Sequence, residues 1–306
     1  MDILFTIIPI FVVILIGWLA RQKGFIPSEF LGPANRLVYH LAIPAMIFRA
    51  ISKGALKTDF NPAVLGSTLT AILLFFGLIW TTVRFTHMQR RQIGTFLQSA
   101  FHGNLGYIGL AVAYYFLGDQ GLASASIIAG FMMVLQNLLA VFILQFYGDN
   151  PSRGHRTRKV MMRILANPVI LSAVAGMAFS ALAVPVPETI GRSLDILSNM
   201  ALPLALLLIG ASLSFELMRS RMVSALSSSV LKLMILPGLG FALYRLWNIP
   251  AANYLPGLIL LASPTATIAY VMAKEMNGDS EFAVAAISTS TLLSAVTFFG
   301  WLNLNR

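Results

Sequence analysis

The stretch Gly103-Asn104-Leu105-Gly106 interrupts a long apolar segment of this chain, and Ala262-Ser263-Pro264-Thr265 interrupts another in the second half. Glycine costs a helix about 1 kcal/mol per residue, and proline removes a backbone donor and clashes with the preceding turn. Each stretch therefore predicts a break in a membrane helix. Such a break is tolerated at membrane depth only where the backbone lines a cavity or is buried in protein.

Two other pairs of motifs recur with the same spacing along the chain. His40–Pro44 returns as Asn199–Pro203, at the same offset that separates Leu105 from Pro264, and Gly118-Asp119 returns as Gly278-Asp279 at an offset only one position longer. These matches predict that the same membrane unit occurs twice. Helix breaks at corresponding places in two halves are typical of secondary transporters, whose binding sites lie near the middle of the membrane.

The composition indicates that lipid contacts most of the outer surface. Hydrophobic residues make up 58% of the 306 residues and charged residues only 10%, whereas a soluble domain carries about 25% charged residues. The net charge of +10 comes from basic residues scattered through the loops, without the basic, aromatic-rich face that binds nucleic acid. We therefore expect a multi-pass integral membrane protein whose partner is the lipid bilayer, with no nucleic acid.

We predict ten membrane-spanning helices, because a helix needs about 20 apolar residues to cross the hydrocarbon core. Each half contributes five, so the second half enters from the opposite side and the repeats are inverted. The predicted fold is an all-α membrane protein in which spans four and nine are broken and cross. Its parts are a first five-helix repeat (1–147), a cytoplasmic linker (148–166) and a second five-helix repeat (167–306). The predicted spans lie near residues 3–20, 32–51, 62–83, 93–117, 122–147, 167–184, 188–215, 222–247, 254–276 and 281–303.

Basic residues are distributed unequally between the two sides. The loops after the odd-numbered spans contain thirteen Lys and Arg residues, and the opposite side contains six. Because the more basic side faces the cytoplasm, both termini are predicted to lie outside, and the expected location is the bacterial inner membrane. The apolar run 3–20 lacks a preceding basic segment and a cleavage site, so we interpret it as a first span and not as a signal peptide.

Polar groups at the two breaks are the first candidates for a substrate site. An unsatisfied polar group at membrane depth costs several kcal/mol, so each needs a partner or a function. Where broken helices meet, their N-terminal ends favour an anionic group through N–H donors. The substrate-binding candidates at the breaks are Gly103, Asn104, Gly106, Ser263, Pro264 and Thr265.

Polar residues elsewhere in the spans form a second group of candidates. His40 and Asn199 occupy matching places in spans two and seven, and Gln136-Asn137 lies within span five. His40 and Asn199 either line the substrate site or bend their helices. Gln136-Asn137 either lines the cavity or makes hydrogen bonds between helices. Three ionisable residues are candidates for coupling or for attracting an anion: Asp195, which lies either in a solvated vestibule or in a buried position, Lys232 and His102.

Several stretches, taken in order, resemble the auxin efflux carrier family in its bacterial form. They are Asn35–Pro44, Gly103–Gly109, Asn167-Pro168, Ala201–Leu213 and Lys232–Pro237. The resemblance covers essentially the whole chain and implies ten spans in two inverted repeats, divided into a scaffold and a transport domain. It also implies an organic anion as substrate and spans four and nine that cross at the substrate site. Plant members have Pro-Asn at the first crossing, where this chain has Gly103-Asn104.

Two other functions remain as alternatives. A sodium- or proton-coupled organic-anion symporter of the bile-acid type shares inverted repeats and crossed helices, but only Asn104 and Gln136-Asn137 suit cation coordination here. An intramembrane enzyme is disfavoured because the chain lacks the relevant motifs, such as His-Glu-x-x-His. We expect no cofactor and no bound metal ion, and a homodimer is a candidate assembly.

Overall fold

The computed structural model describes residues 3–53, 60–86, 88–148 and 166–304. Within these ranges the secondary structure is helical, apart from one isolated backbone bridge described below. The helices are α1 (Ile3–Gln22), α2 (Ser28–Leu37), π1 (Val38–Ala42), α3 (Ile43–Lys53), α4 (Pro62–Val83), α5 (Arg90–Phe101), π2 (Leu105–Gly109), α6 (Leu110–Tyr147), α7 (Pro168–Ala181), α8 (Glu188–Asn199), α9 (Ala201–Ala211), α10 (Phe215–Ser220), α11 (Met222–Val230), π3 (Leu231–Ile235), α12 (Leu236–Leu246), α13 (Ala251–Ala262), α14 (Ile268–Glu275) and α15 (Ser280–Asn303).

Within the part of the chain that the structure describes, six helical runs are long and apolar enough to cross a membrane. They are Ile3–Gln22, Pro62–Val83, Leu105–Tyr147, Glu188–Ala211, Met222–Leu246 and Ser280–Asn303, and α7 and α13 are shorter apolar helices. The chain is therefore a multi-pass membrane protein. The predicted linker 148–166 lies outside the described residues, apart from its two end residues.

Prolines and a glycine change the regular α-helical structure at several positions in the long helical runs. The π-helical turn π1 comes just before Pro44, and π3 comes just before Pro237, as expected where proline removes a backbone donor. The carbonyl of Leu233, four residues before Pro237, accepts the indole N–H of Trp301 at 2.8 Å. Inside α6, Gly118 has a φ of 72°, so the helix direction changes at the predicted turn between spans four and five.

The described residues form two compact units, and each unit takes segments from both halves of the chain. The first unit comprises residues 1–61, 106–131 and 165–213, and the second comprises 62–105, 132–164 and 214–306. The units therefore do not correspond to the two sequence repeats.

In the first unit, a cluster of charges links two helices. The guanidinium of Arg49, on α3, donates to both carboxylate oxygens of Asp195, on α8, at 2.8 and 2.7 Å. Lys53 adds a second cation at 3.2 Å. The Asp195 side chain is 38% exposed, so this carboxylate is neither buried nor alone.

Candidate functional site

The first break lies in the second unit, where α5 ends at Phe101. His102 has an extended backbone (φ −82°, ψ 100°), and helical structure resumes at Leu105. The side-chain amide of Gln136 bridges the break. Its Oε1 accepts the N–H of Gly103 and its Nε2 donates to the carbonyl of Phe101, both at 3.1 Å. One buried side chain therefore satisfies the main chain on both sides of His102.

The second break follows α13 and is stabilised by different groups. Ser263 has an extended backbone (φ −63°, ψ 143°). Because Pro264 has no N–H, the carbonyl of Leu260 lacks its usual helical donor, and it accepts the hydroxyl of Ser263 at 2.7 Å. The N–H of Thr265 donates to the hydroxyl of Ser290 at 3.0 Å and so leaves the helical pattern.

A lysine satisfies the next carbonyl of this helix end. The helical partner of the Leu261 carbonyl would be the N–H of Thr265, which bonds to Ser290 instead. Lys232, on π3, donates its Nζ to that carbonyl at 2.7 Å. The Lys232 side chain is fully buried. An ammonium group therefore sits at the carboxyl end of α13, where the helix dipole favours a cation.

The two breaks pair with each other. Gly103 and Thr265 form an antiparallel bridge. The flanking bonds run from the N–H of Asn104 to the carbonyl of Pro264 at 2.7 Å, and from the N–H of Ala266 to the carbonyl of His102 at 2.8 Å. We call residues 102–104 together with 264–266 the paired break; it consists of a short piece of extended backbone inside a helical unit.

The structure brings most of the predicted site residues to this place. Gly103, Asn104, Pro264 and Thr265 belong to the paired break, and Ser263, Gln136, His102 and Lys232 lie at it or bond to it. Asn137 differs from its neighbour, because its Nδ2 donates to the Met133 carbonyl of its own helix at 2.7 Å.

Four other candidates belong to the first unit: His40, Gly106, Asp195 and Asn199. His40 is exposed, and its Nδ1 lies 3.0 Å from the Arg36 carbonyl oxygen. Asn199 is an exposed residue at the end of α8. Their roles in substrate binding stay predictions.

Comparison with known proteins decides the family. The profile described as "Membrane transport protein" matches residues 2–154 and again residues 152–302. The chain belongs to this family. It is the auxin efflux carrier family that the sequence motifs indicated.

Named relatives of this transporter span nearly its whole length. A protein of Rhizobium meliloti named "Putative malonate transporter" is 28% identical over 98% of this chain and 95% of its own length. An "Uncharacterized transporter" of Methanothermobacter thermautotrophicus is 24% identical over 97% of this chain and 96% of its own. Another, from Methanocaldococcus jannaschii, is 23% identical over 98% of both. These relatives are named as transporters and not as enzymes.

Sequence reasoning missed Ser290, whose hydroxyl accepts a main-chain hydrogen bond at the transporter's second break. Ser290 belongs to a run of four hydroxyl residues, Ser288 to Thr291, inside an apolar helix, and this run was the available signal. The hydroxyl of Thr265 also reaches the carbonyl of Ser99 at 2.9 Å. Several buried side-chain atoms of this unit make no hydrogen bond within the described protein, namely Gln98 Oε1, Ser99 Oγ, His102 Nδ1 and Thr291 Oγ1.

Proposed function

We propose that this transporter carries a small organic anion with a carboxylate group, and that the paired break forms its binding site. The observation that carries the proposal is the set of groups gathered there. The amide of Asn104, the hydroxyls of Ser263 and Thr265 and the ammonium of Lys232 are all buried in the second unit. No Asp or Glu of the described ranges is buried. The amide of Asn104 and the charge of Lys232, without a buried carboxylate in the described ranges, favour an anionic solute, while the Ser263 and Thr265 hydroxyls donate to main-chain carbonyls.

The architecture in this proposal has ten spans in two inverted repeats, 1–147 and 167–306, with spans four and nine crossing at the paired break. The second unit would be the transport domain and the first unit the scaffold, and alternating access would expose the site to each side in turn. The malonate transport indicated by the name of the Rhizobium meliloti relative supports a dicarboxylate as the first substrate to test.

Asn104 is the residue on which we expect recognition to depend most. Its backbone N–H donates to the carbonyl of Pro264, so replacing the side chain leaves the pairing of the two breaks in place. A hydrogen bond to a charged group contributes about 1.5–3 kcal/mol. We therefore expect Asn104→Ala to fold and insert normally and to lose transport by at least about tenfold, since each 1.4 kcal/mol is a factor of ten.

The experiment is uptake of radiolabelled malonate, malate, succinate and acetate into proteoliposomes containing the wild type, Asn104→Ala or the control Asn137→Ala. The control removes an amide that is bonded within its own helix and should transport nearly as well as the wild type. Wild-type rates in Asn104→Ala would remove this residue from the site. An absence of uptake of every acid by the wild type would refute the proposed function.

The same vesicles also test whether transport is coupled to a sodium or proton gradient. An inside-negative potential favours anion exit by about 2.3 kcal/mol per charge per 100 mV, so a uniporter can export without a coupling ion. Uptake that needs a sodium or proton gradient would favour the symporter alternative.

Orientation is a separate part of the proposal: both termini outside, in the inner membrane. Ser220, after predicted span seven, and Ala252, before predicted span nine, are exposed, and the chain has no cysteine of its own. In intact cells an impermeant maleimide should label Ala252→Cys and not Ser220→Cys. The reverse pattern would invert the orientation.

A further inference from the structure

Lys232 is the one Lys, Arg, Asp or Glu that is buried among the described residues. Its ammonium has a carbonyl as its hydrogen-bond partner, that of Leu261 at 2.7 Å, and the structure records no ion pair for it with a described carboxylate. The charges of the first unit are arranged differently. There Asp195 neutralises Arg49 in a two-point contact near the edge of the unit.

The position of the ammonium is set by the backbone of the second break. Pro264 and the diverted N–H of Thr265 leave the carbonyls of Leu260 and Leu261 without their usual donors four residues on. The Leu260 carbonyl accepts the N–H and hydroxyl of Ser263 instead. Such a helix end carries a partial negative charge of about half an elementary charge. In cation-coupled transporters, the carboxyl ends of broken helices coordinate the coupling ion. Here the Lys232 side chain occupies that kind of position.

The first break leaves room for this lysine. A Cβ added to Gly103 would lie 3.4 Å from the Lys232 Cε and 2.7 Å from the Ser263 hydroxyl oxygen. A side chain at residue 103 would therefore clash with the Ser263 hydroxyl and lie in van der Waals contact with Lys232. Gly103 and Lys232 are thus two parts of one packing arrangement, although they belong to different halves of the sequence.

We propose that Lys232 is a built-in cation of the paired break, which takes the place of a coupling ion at the carboxyl end of α13 and faces the carboxylate of the transported anion. This inference rests on the proposed function and deepens it. A buried charge without a counter-charge is unfavourable. The anionic solute supplies that counter-charge during transport, so transport needs no sodium.

The test compares Lys232→Gln and Lys232→Met with the wild type in proteoliposomes, using the acids of the panel that the wild type transports. Lys232→Gln keeps a donor for the Leu261 carbonyl and removes the charge, while Lys232→Met removes both. Leu233→Met is the control, because it alters the adjacent buried side chain of π3 without a change of charge. Uptake is measured in sodium and in N-methylglucamine, together with melting temperature.

We expect wild-type uptake to agree within twofold in the two cations. Both Lys232 variants should lose apparent affinity for the acid by at least tenfold. Lys232→Gln, which keeps a donor for the Leu261 carbonyl, should do so without a lower melting temperature, and Leu233→Met should behave as the wild type. The inference is overturned if Lys232→Gln keeps wild-type affinity, since the lysine would then be only a cap for a carbonyl. A tenfold loss of wild-type uptake without sodium overturns it too, even where neither variant folds.

Failure of the inference and failure of the proposed function give different results. If the wild type transports an acid but Lys232→Gln is unimpaired or sodium is required, only the role of Lys232 falls. If the wild type transports none of the acids in either cation, the proposed function fails and the inference fails with it.

Discussion

At both breaks, main-chain groups that have lost their helical partners need other hydrogen-bond partners, and the two breaks obtain them from different side chains. At the first, the single amide of Gln136 satisfies the main chain before and after His102. At the second, the hydroxyls of Ser263 and Ser290 and the ammonium of Lys232 each satisfy one main-chain group. The two breaks therefore share a backbone geometry but not the residue types around it, because any side chain that can bond to the main-chain groups will serve.

This difference predicts an unequal sensitivity to substitution. The first break depends on one side chain that makes two bonds, so its loss exposes a donor and an acceptor together. The second break distributes its bonds over several side chains, so each loss exposes one group. Removing groups one at a time therefore tests the comparison.

The largest effect on stability is expected for Gln136→Leu. A buried donor or acceptor left unsatisfied costs about 1–3 kcal/mol, and this change affects the Gly103 N–H and the Phe101 carbonyl, so the free energy of unfolding should fall by about 2–6 kcal/mol. Unfolding of the purified protein in detergent measures the loss. The control is Asn137→Leu, whose amide bonds within its own helix. Equal losses in the two variants would contradict the role of Gln136 as the bridge of the first break.

Pro264→Ala should affect transport more than stability. Alanine is better than proline in a helix by about 3 kcal/mol, so the melting temperature should stay constant or rise while the backbone of the break is distorted. We expect affinity or turnover to fall about tenfold, which corresponds to about 1.4 kcal/mol. Pro256→Ala, inside α13 and away from the break, is the control and should transport normally.

The opposite pattern would show that Pro264 is a packing kink remote from the substrate. In that case the variant would melt at a lower temperature, and its folded fraction would keep normal affinity and turnover. Melting and transport must therefore be measured on the same preparation.

A smaller loss of stability than that of Gln136→Leu is expected for Ser290→Ala, which removes the acceptor that the described residues provide for the Thr265 N–H. The loss should be about 1–2 kcal/mol, within the range for one unsatisfied buried group. Ser294→Ala is the matched control on the same helix, because its hydroxyl donates back to the Thr291 carbonyl. If Ser290→Ala lowered the free energy of unfolding as much as Gln136→Leu, the two breaks would not differ in how many main-chain groups depend on one side chain.

The sequence placed both breaks because glycine and proline act locally on the backbone. Gly103 and Pro264 are each adjacent to residues with extended backbone, His102 and Ser263. The approximate positions of the six long apolar helices also follow from local hydropathy. Such features need no knowledge of what packs against them.

Contacts between distant segments were beyond the sequence argument. Gln136 was a candidate either for the substrate site or for hydrogen bonds between helices, and its amide binds the main chain 33 and 35 residues away. Which main-chain groups it meets depends on the packing of α5 against α6, and its role in substrate binding stays a prediction. The run Ser288 to Thr291 marked Ser290 only weakly, since a hydroxyl within an apolar helix ordinarily bonds to its own helix. Ser290 does so through the Ile287 carbonyl at 3.2 Å, and its second bond, from the Thr265 N–H, depends on packing between distant segments. The predicted span 254–276 also consists of α13 and α14 with the break between them.

The bridge made by Gln136 has a consequence for which residues of this carrier can be substituted. Its amide touches main-chain atoms on either side of His102 and uses no atom of the His102 side chain. Selection or a mutant library can therefore vary residue 102, which is buried at the paired break, while the backbone there keeps its support. At this position the support of the backbone is therefore independent of the identity of the side chain.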